Sequence, residues 1–125
     1  MFLGQKGMEA LERYEQLEQY ELALGYLYAL KDNGQIMDSE EAEEFFLIKK
    51  AAYQTELGIV DEAENTWSQL MAKDSKYSQI YYYLAKIYHE QNNERKLVEV
   101  YRKIKKLKIN PQLLRWIETM LPRYR

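Results

Sequence analysis

The stretch "SQIYYYLAKIYHEQNNERKLVEVYRKI", residues 78–104, decides the fold. Its opening cluster of Ile and Tyr favours a strand on propensity alone. Spacing says otherwise. Tyr81, Leu84, Ala85 and Tyr88 stand at i, i+3, i+4 and i+7, the apolar stripe of a helix, and strand alternation fits them worse. Asn92 and Asn93 then interrupt, and Asn tolerates the left-handed backbone that ends helices. Leu97, Tyr101 and Ile104 follow at i, i+4 and i+7 as a second helix. So short a turn makes the two helices antiparallel neighbours.

Moved back by 34 residues, the stretch meets a similar pattern. Ala85 falls on Ala51, Tyr81 on Leu47, Asn92 on Gly58, Leu97 on Ala63, Tyr101 on Trp67 and Ile104 on Leu70. A fixed period of this size, with two helices in each unit, is a repeat signature. A further copy lies upstream. Leu11 and Tyr14 stand where Ala85 and Tyr88 stand, and Tyr20, Ala23, Leu27 and Leu30 form its second helix. Its offset from Ala23 to Ala63 is 40 residues, and the excess is placed in "KDNGQIMDSEE", where Asn33-Gly34 signals a turn.

Here the sequence resembles the tetratricopeptide repeat family. "LGIVDEAENTWSQLMAKD" is similar to that family's turn and second helix, through Gly58, Ala63, Trp67 and Leu70. "YYYLAKIY" is similar to its first helix, through Tyr81, Leu84, Ala85 and Tyr88. The pattern departs at Lys50 and Gln54, which stand where Leu84 and Tyr88 stand one unit later, with Tyr53 one place off. It departs again at Glu18, which occupies the place of a turn glycine, and at "KDSKY", which lacks a proline.

After the last copy comes "INPQLLRWIETMLPRYR". Pro111 is placed to start a helix and Pro122 to stop one. Leu113, Trp116, Ile117, Met120 and Leu121 give it an apolar stripe, as expected of a helix that caps a stacked array. A surface for a partner or a second copy is the alternative. The expected fold is therefore all-α: an α-solenoid of antiparallel helix pairs, about three repeats over 5–37, 40–76 and 78–110, and a capping helix at 111–121, in one domain of 125 residues. Helices are expected near 5–17, 20–32, 40–56, 60–72, 78–91, 94–107 and 111–121, with no sheet.

Composition agrees with a globular chain: 46% apolar, 30% charged, and only two prolines. Without cysteine there is no disulfide framework and no thiolate metal site, which suits a cytoplasmic protein. "MFLGQKG" lacks a basic leader and a long apolar run and is not expected to be a signal peptide. The run Leu22 to Leu30 is too short to span a bilayer. The net charge of −2 hides an asymmetry. Residues 1–62 hold 14 Asp and Glu against 5 Lys and Arg, while residues 63–125 hold 6 against 13. Such ends attract each other, so head-to-tail self-association competes with a monomer, which the capping helix slightly favours.

No catalytic constellation is visible. His89 is the single histidine, no cysteine nucleophile exists, and neither Gly-rich phosphate motif occurs. "DSEEAEE", residues 38–44, fits a helix start better than a cation site: Asp38 or Ser39 as N-cap, glutamates in the first turn. "RKIKKLK", residues 102–108, raises RNA binding as the alternative function, but its interleaving with Tyr101, Ile104 and Leu107 reads as a solvated helix face. No cofactor and no metal is expected.

Of the twelve tyrosines, Tyr14, Tyr81, Tyr88 and Tyr101 fall on core stripes, whereas Tyr82 and Tyr83 do not. Tyr82, Lys86 and His89 form a second stripe, and Phe45, Ile48 and Ala52 occupy the comparable face one unit earlier. The resemblance implies that this face lines a concave peptide groove, so these six residues are the expected partner-binding set. The family's carboxylate clamp for chaperone tails uses Lys, Asn and Arg. Here Met8, Glu12, Ala52, Gln79 and Tyr83 stand at those places, and binding through that clamp is not expected. The expected function is a protein-interaction module with a protein or peptide partner.

Overall fold

The structure, a computed structural model, describes residues 3–122. Among them are seven helices and no strand: α1 (Gln5–Gln16), α2 (Tyr20–Asp32), α3 (Glu40–Glu56), α4 (Val60–Ala72), α5 (Ser78–Glu90), α6 (Glu94–Leu107) and α7 (Pro111–Met120). The expected boundaries hold to within one residue. An isolated antiparallel bridge between Leu3 and Ile36 ties the segment before α1 to the loop after α2. The chain forms two compact units, Met1–Thr66 and Trp67–Arg125, and the division falls inside α4.

Helix starts follow side-chain chemistry. The Ser39 hydroxyl accepts the Ala42 N–H at 3.1 Å, and Glu40, Glu41 and Glu43 sit in the first turn, where the helix dipole favours anions. The acidic run is thus a helix start. Asn93 caps α6 by accepting from Lys96 N–H at 3.2 Å. Asn110 caps α7 by accepting from Leu113 N–H at 3.0 Å, with Pro111 at the first helical position.

Helix ends repeat one geometry. Glu18, Gly58 and Asn92 are all left-handed, with φ of 54°, 82° and 55°. In each case the following N–H reaches back five residues. Gln19 donates to the Tyr14 carbonyl, Ile59 to Gln54 and Asn93 to Tyr88, each at 2.8 Å. The left-handed residue itself donates three residues back, to Glu15, Thr55 and His89, each at 3.1 Å. This pair of bonds is the Schellman motif, which satisfies carbonyls that the helix end would leave bare. Sixteen residues after each stands another left-handed residue: Gly34, Asp74 and Lys108. The internal repeat is therefore present in the backbone itself.

Positions counted from these turns are buried alike. Seven residues before them are Leu11, Ala51 and Ala85, all fully buried. Five, nine and twelve residues after them are Ala23, Ala63 and Leu97, then Leu27, Trp67 and Tyr101, then Leu30, Leu70 and Ile104, all buried. In the first unit α2 packs on α1 and α3 around Leu11, Leu27, Phe46 and Tyr53. In the second unit α6 packs on α5, and α7 packs on both, burying Leu113, Ile117 and Leu121.

Two core expectations need adjustment, at Tyr14 and Leu47. Tyr14 is half-buried, edge-on to Tyr26 with ring centroids 6.1 Å apart. Leu47 is also half-buried, and Phe46 and Tyr53 take the core places on α3. Tyr81, Tyr88 and Tyr101 are buried as expected. Tyr81 satisfies its hydroxyl by donating to the Ser75 carbonyl, and Tyr101 donates to Glu118 at 3.1 Å. Burial, followed by that bond to Glu118, pushes the Tyr101 phenol up.

Two glycines give opposite expectations. A Cβ at Gly58 meets nothing within 4 Å, so Gly58→Ala suffers only from φ of 82°, a cost of about 1–2 kcal/mol. A Cβ at Gly25, inside α2, also meets nothing, so Gly25→Ala should gain about 0.5–1 kcal/mol from helix propensity. Urea midpoints for the two variants should move in opposite directions.

Candidate partner-binding surface

Helix α5 has a broad buried face, with Ile80, Tyr81, Leu84, Ala85, Ile87 and Tyr88 all buried. Residues 82, 86 and 89 fall outside it. Tyr82 is 40% exposed, Lys86 is half-buried and His89 is exposed. Tyr82 is not isolated. Its ring stacks on Trp116 of α7 at 5.4 Å and 29°, and meets Tyr83 edge-on at 5.2 Å. Tyr83 in turn lies flat on the fully buried Trp67, at 5.2 Å and 9°. Tyr83 is therefore packing, while Tyr82 and Trp116 form an aromatic step at the surface.

Trp116 was missing from the expected set. The sequence placed it in the stripe of the capping helix, but it is 37% exposed. Helical geometry explains this. Leu113 and Ile117 lie close in angle and centre the buried face, and at about 100° per residue Trp116 falls at its margin. The signal was legible as a bulky aromatic at the edge of the stripe.

His89 lines a shallow cavity of about 290 Å³ with Asn92, Asn93, Leu97, Met120 and Leu121. The start of α7 is tied to the start of α5 through the Asn110 amide, which donates to the Ser78 hydroxyl at 3.1 Å. Two adjacent helices thus hold Tyr82 and Trp116 from a fixed base.

Phe45, Ile48 and Ala52 belong to the first unit. Phe45 is half-buried beside Lys49, whose ammonium lies 5.8 Å from the ring centroid. Ile48 and Ala52 are each only 6% exposed. The expectation that they offer apolar surface is corrected: α3 is buried along two sides, through Phe46 and Tyr53 on one and Ile48 and Ala52 on another. Lys49 is engaged with Glu15 at 2.7 Å, and the buried Tyr53 hydroxyl donates to the same carboxylate. That network pins α1 to α3. Close by, burial and then the charges of Glu56, Glu18 and Glu15 push the Tyr20 phenol up.

The basic segment is a solvated face. Arg102, Lys105, Lys106 and Lys108 are exposed, whereas Lys103 pairs with Asp74. The hydrogen bond from Lys103, with its charge, holds the Asp74 carboxyl below its ordinary range. Among the described residues no group of three or more His, Asp or Glu comes together as a metal site, and no helix is long and apolar enough to cross a membrane. No known protein family, curated protein or solved structure matches the chain.

Position 85 is fully buried between helices, so Ala85→Leu should overpack it and cost about 1–3 kcal/mol. Tyr82→Ala gives up only partly exposed ring contacts and should cost less. Chemical denaturation of both variants checks the register of α5.

Proposed function

We propose that the chain is a protein-interaction module of the tetratricopeptide kind, in which three helix pairs stack and the last is capped by α7. The recurrence of the left-handed turns and of the small buried residues beside them supports this reading. The partner is an extended protein segment with an apolar anchor residue. Its contact surface is the step formed by Tyr82 and Trp116, with Lys86 and His89 along the same edge of α5.

The observation that carries the proposal is the exposed stack itself. Two large aromatic side chains, 40% and 37% exposed, lie ring against ring on neighbouring helices. Apolar area presented on rigid elements is the usual material of a recognition anchor. Lys86 and His89 supply donors at the rim for main-chain carbonyls or a carboxylate.

The test is selection of a displayed peptide library on the whole chain, followed by calorimetry on the selected peptide. Tyr82→Ala and Trp116→Ala should each weaken binding at least about tenfold, about 1.4 kcal/mol, and the affinity should change little with salt. A double charge reversal at Lys105 and Lys106 should leave it unchanged. Affinity that ignores both aromatic substitutions, falls steeply with salt and is lost on charge reversal would contradict the proposal and favour nucleic-acid binding through α6.

A further inference from the structure

Helix α2 has an outer face that its own fold does not explain. From Leu22 to Leu30 it carries no charge, and a helix apolar all round is normally covered all round. Here α2 packs on α1 and α3 through Ala23, Leu27 and Leu30, and the opposite side stays open. On that side Leu22 is 55% exposed, and Gly25 and Ala29 are exposed beside it at i+3 and i+7.

Gly25 makes the point sharper. A glycine inside a helix is a poor choice energetically, because it costs backbone entropy and adds no packing. It is usually kept where something approaches the backbone closely. Within this chain nothing does: a Cβ at Gly25 would meet no atom within 4 Å. The close approach that glycine allows is available only to something from outside.

The rim states the chemistry of that visitor. Glu18 and Glu21 lie at one end of the face and Asp32 at the other, all exposed. The nearby cation, Lys31, is paired with Glu43 and lies over the Phe46 ring. A second copy of α2 would bring its own carboxylates against these, so self-pairing through this face is opposed by charge. From Glu21 to Asp32 the face spans about 16 Å, or three helical turns.

We propose that this face docks an amphipathic helix of a partner protein, with an apolar seam over Gly25 and basic residues at its flanks. The site lies on α2 and the turn before it, and does not depend on the aromatic step of α5 and α7. Helices pack by setting ridges of residues three and four apart into one another's grooves, and Leu22, Gly25 and Ala29 stand three and four apart, with Gly25 as the low point between the other two.

The probe is a synthetic helical peptide of about four to five turns, with a leucine seam flanked by lysines. A second peptide carries glutamates in place of the lysines. Amide shifts of the isotope-labelled whole chain locate binding, and fluorescence anisotropy measures it. The lysine peptide should shift Leu22, Gly25 and Ala29 and bind at least tenfold more tightly than the glutamate peptide. Gly25→Leu should weaken it at least tenfold without lowering the unfolding midpoint, and Gly25→Ala should weaken it less. Equal affinity for wild type and Gly25→Leu would overturn the proposal, because charge alone would then explain binding. A chain that sediments as a dimer without peptide, and as a monomer after Gly25→Leu, would also overturn it in favour of a second copy.

Discussion

The left-handed residue that closes each helix pair is the constraint on which the rest of this structure depends. It reverses the chain within three residues and fixes where the next helix starts. It also aims two N–H groups at carbonyls the preceding helix leaves bare. Once the turn is set, the register of both helices is set with it. That is why Leu11, Ala51 and Ala85 are buried at one distance before the turns, and Ala23, Ala63 and Leu97 at one distance after. Alanine holds four of these six places, and a small side chain lets helices joined by so short a link approach closely. Glu18 and Lys108 hold the same backbone with neither glycine nor Asn or Asp, a cost of roughly 1 kcal/mol or more each that the packing of the helices must offset.

Tyrosine is used in two ways. At the core it is a large apolar ring whose hydroxyl must find an acceptor. Tyr81 finds the Ser75 carbonyl, Tyr53 finds Glu15 and Tyr101 finds Glu118. Each bond joins a helix to a different segment, so the tyrosines act as ties as well as filling. Tyr82 has no such task. Its ring rests on Tyr83 and Trp116, and much of it stays exposed. Exposed aromatic area held by a packed base is what distinguishes that edge of α5 from the charged faces of α6.

Much of this was legible in the sequence, for identifiable reasons. Helix limits could be read because Ser39, Asn93, Asn110 and Pro111 mark starts chemically, while Gly58 and Asn92 mark ends. Glu18 and Lys108 could not be read as left-handed from residue type, since neither Glu nor Lys favours that backbone. On α3 the stripe was ambiguous because Phe45, Phe46, Leu47 and Ile48 are consecutive, and a helix buried on two sides has no single apolar face. The sequence pattern therefore puts Ile48 and Ala52 on the surface, whereas the structure buries them. The open face of α2 was hidden by its own composition, because an uncharged run reads as core.

Backbone torsion angles measured by solution NMR show whether the repeated turn exists in solution. Three-bond amide–α-proton couplings and Cα shifts, with Cβ shifts at the residues other than glycine, report the sign of φ at Glu18, Gly58 and Asn92, and again at Gly34, Asp74 and Lys108. Left-handed φ is expected at all six, with protected amides at Gln19, Ile59 and Asn93. Helical or extended φ at Glu18 or Asn92, with a rapidly exchanging amide after it, would contradict a chain built from one repeated helix pair.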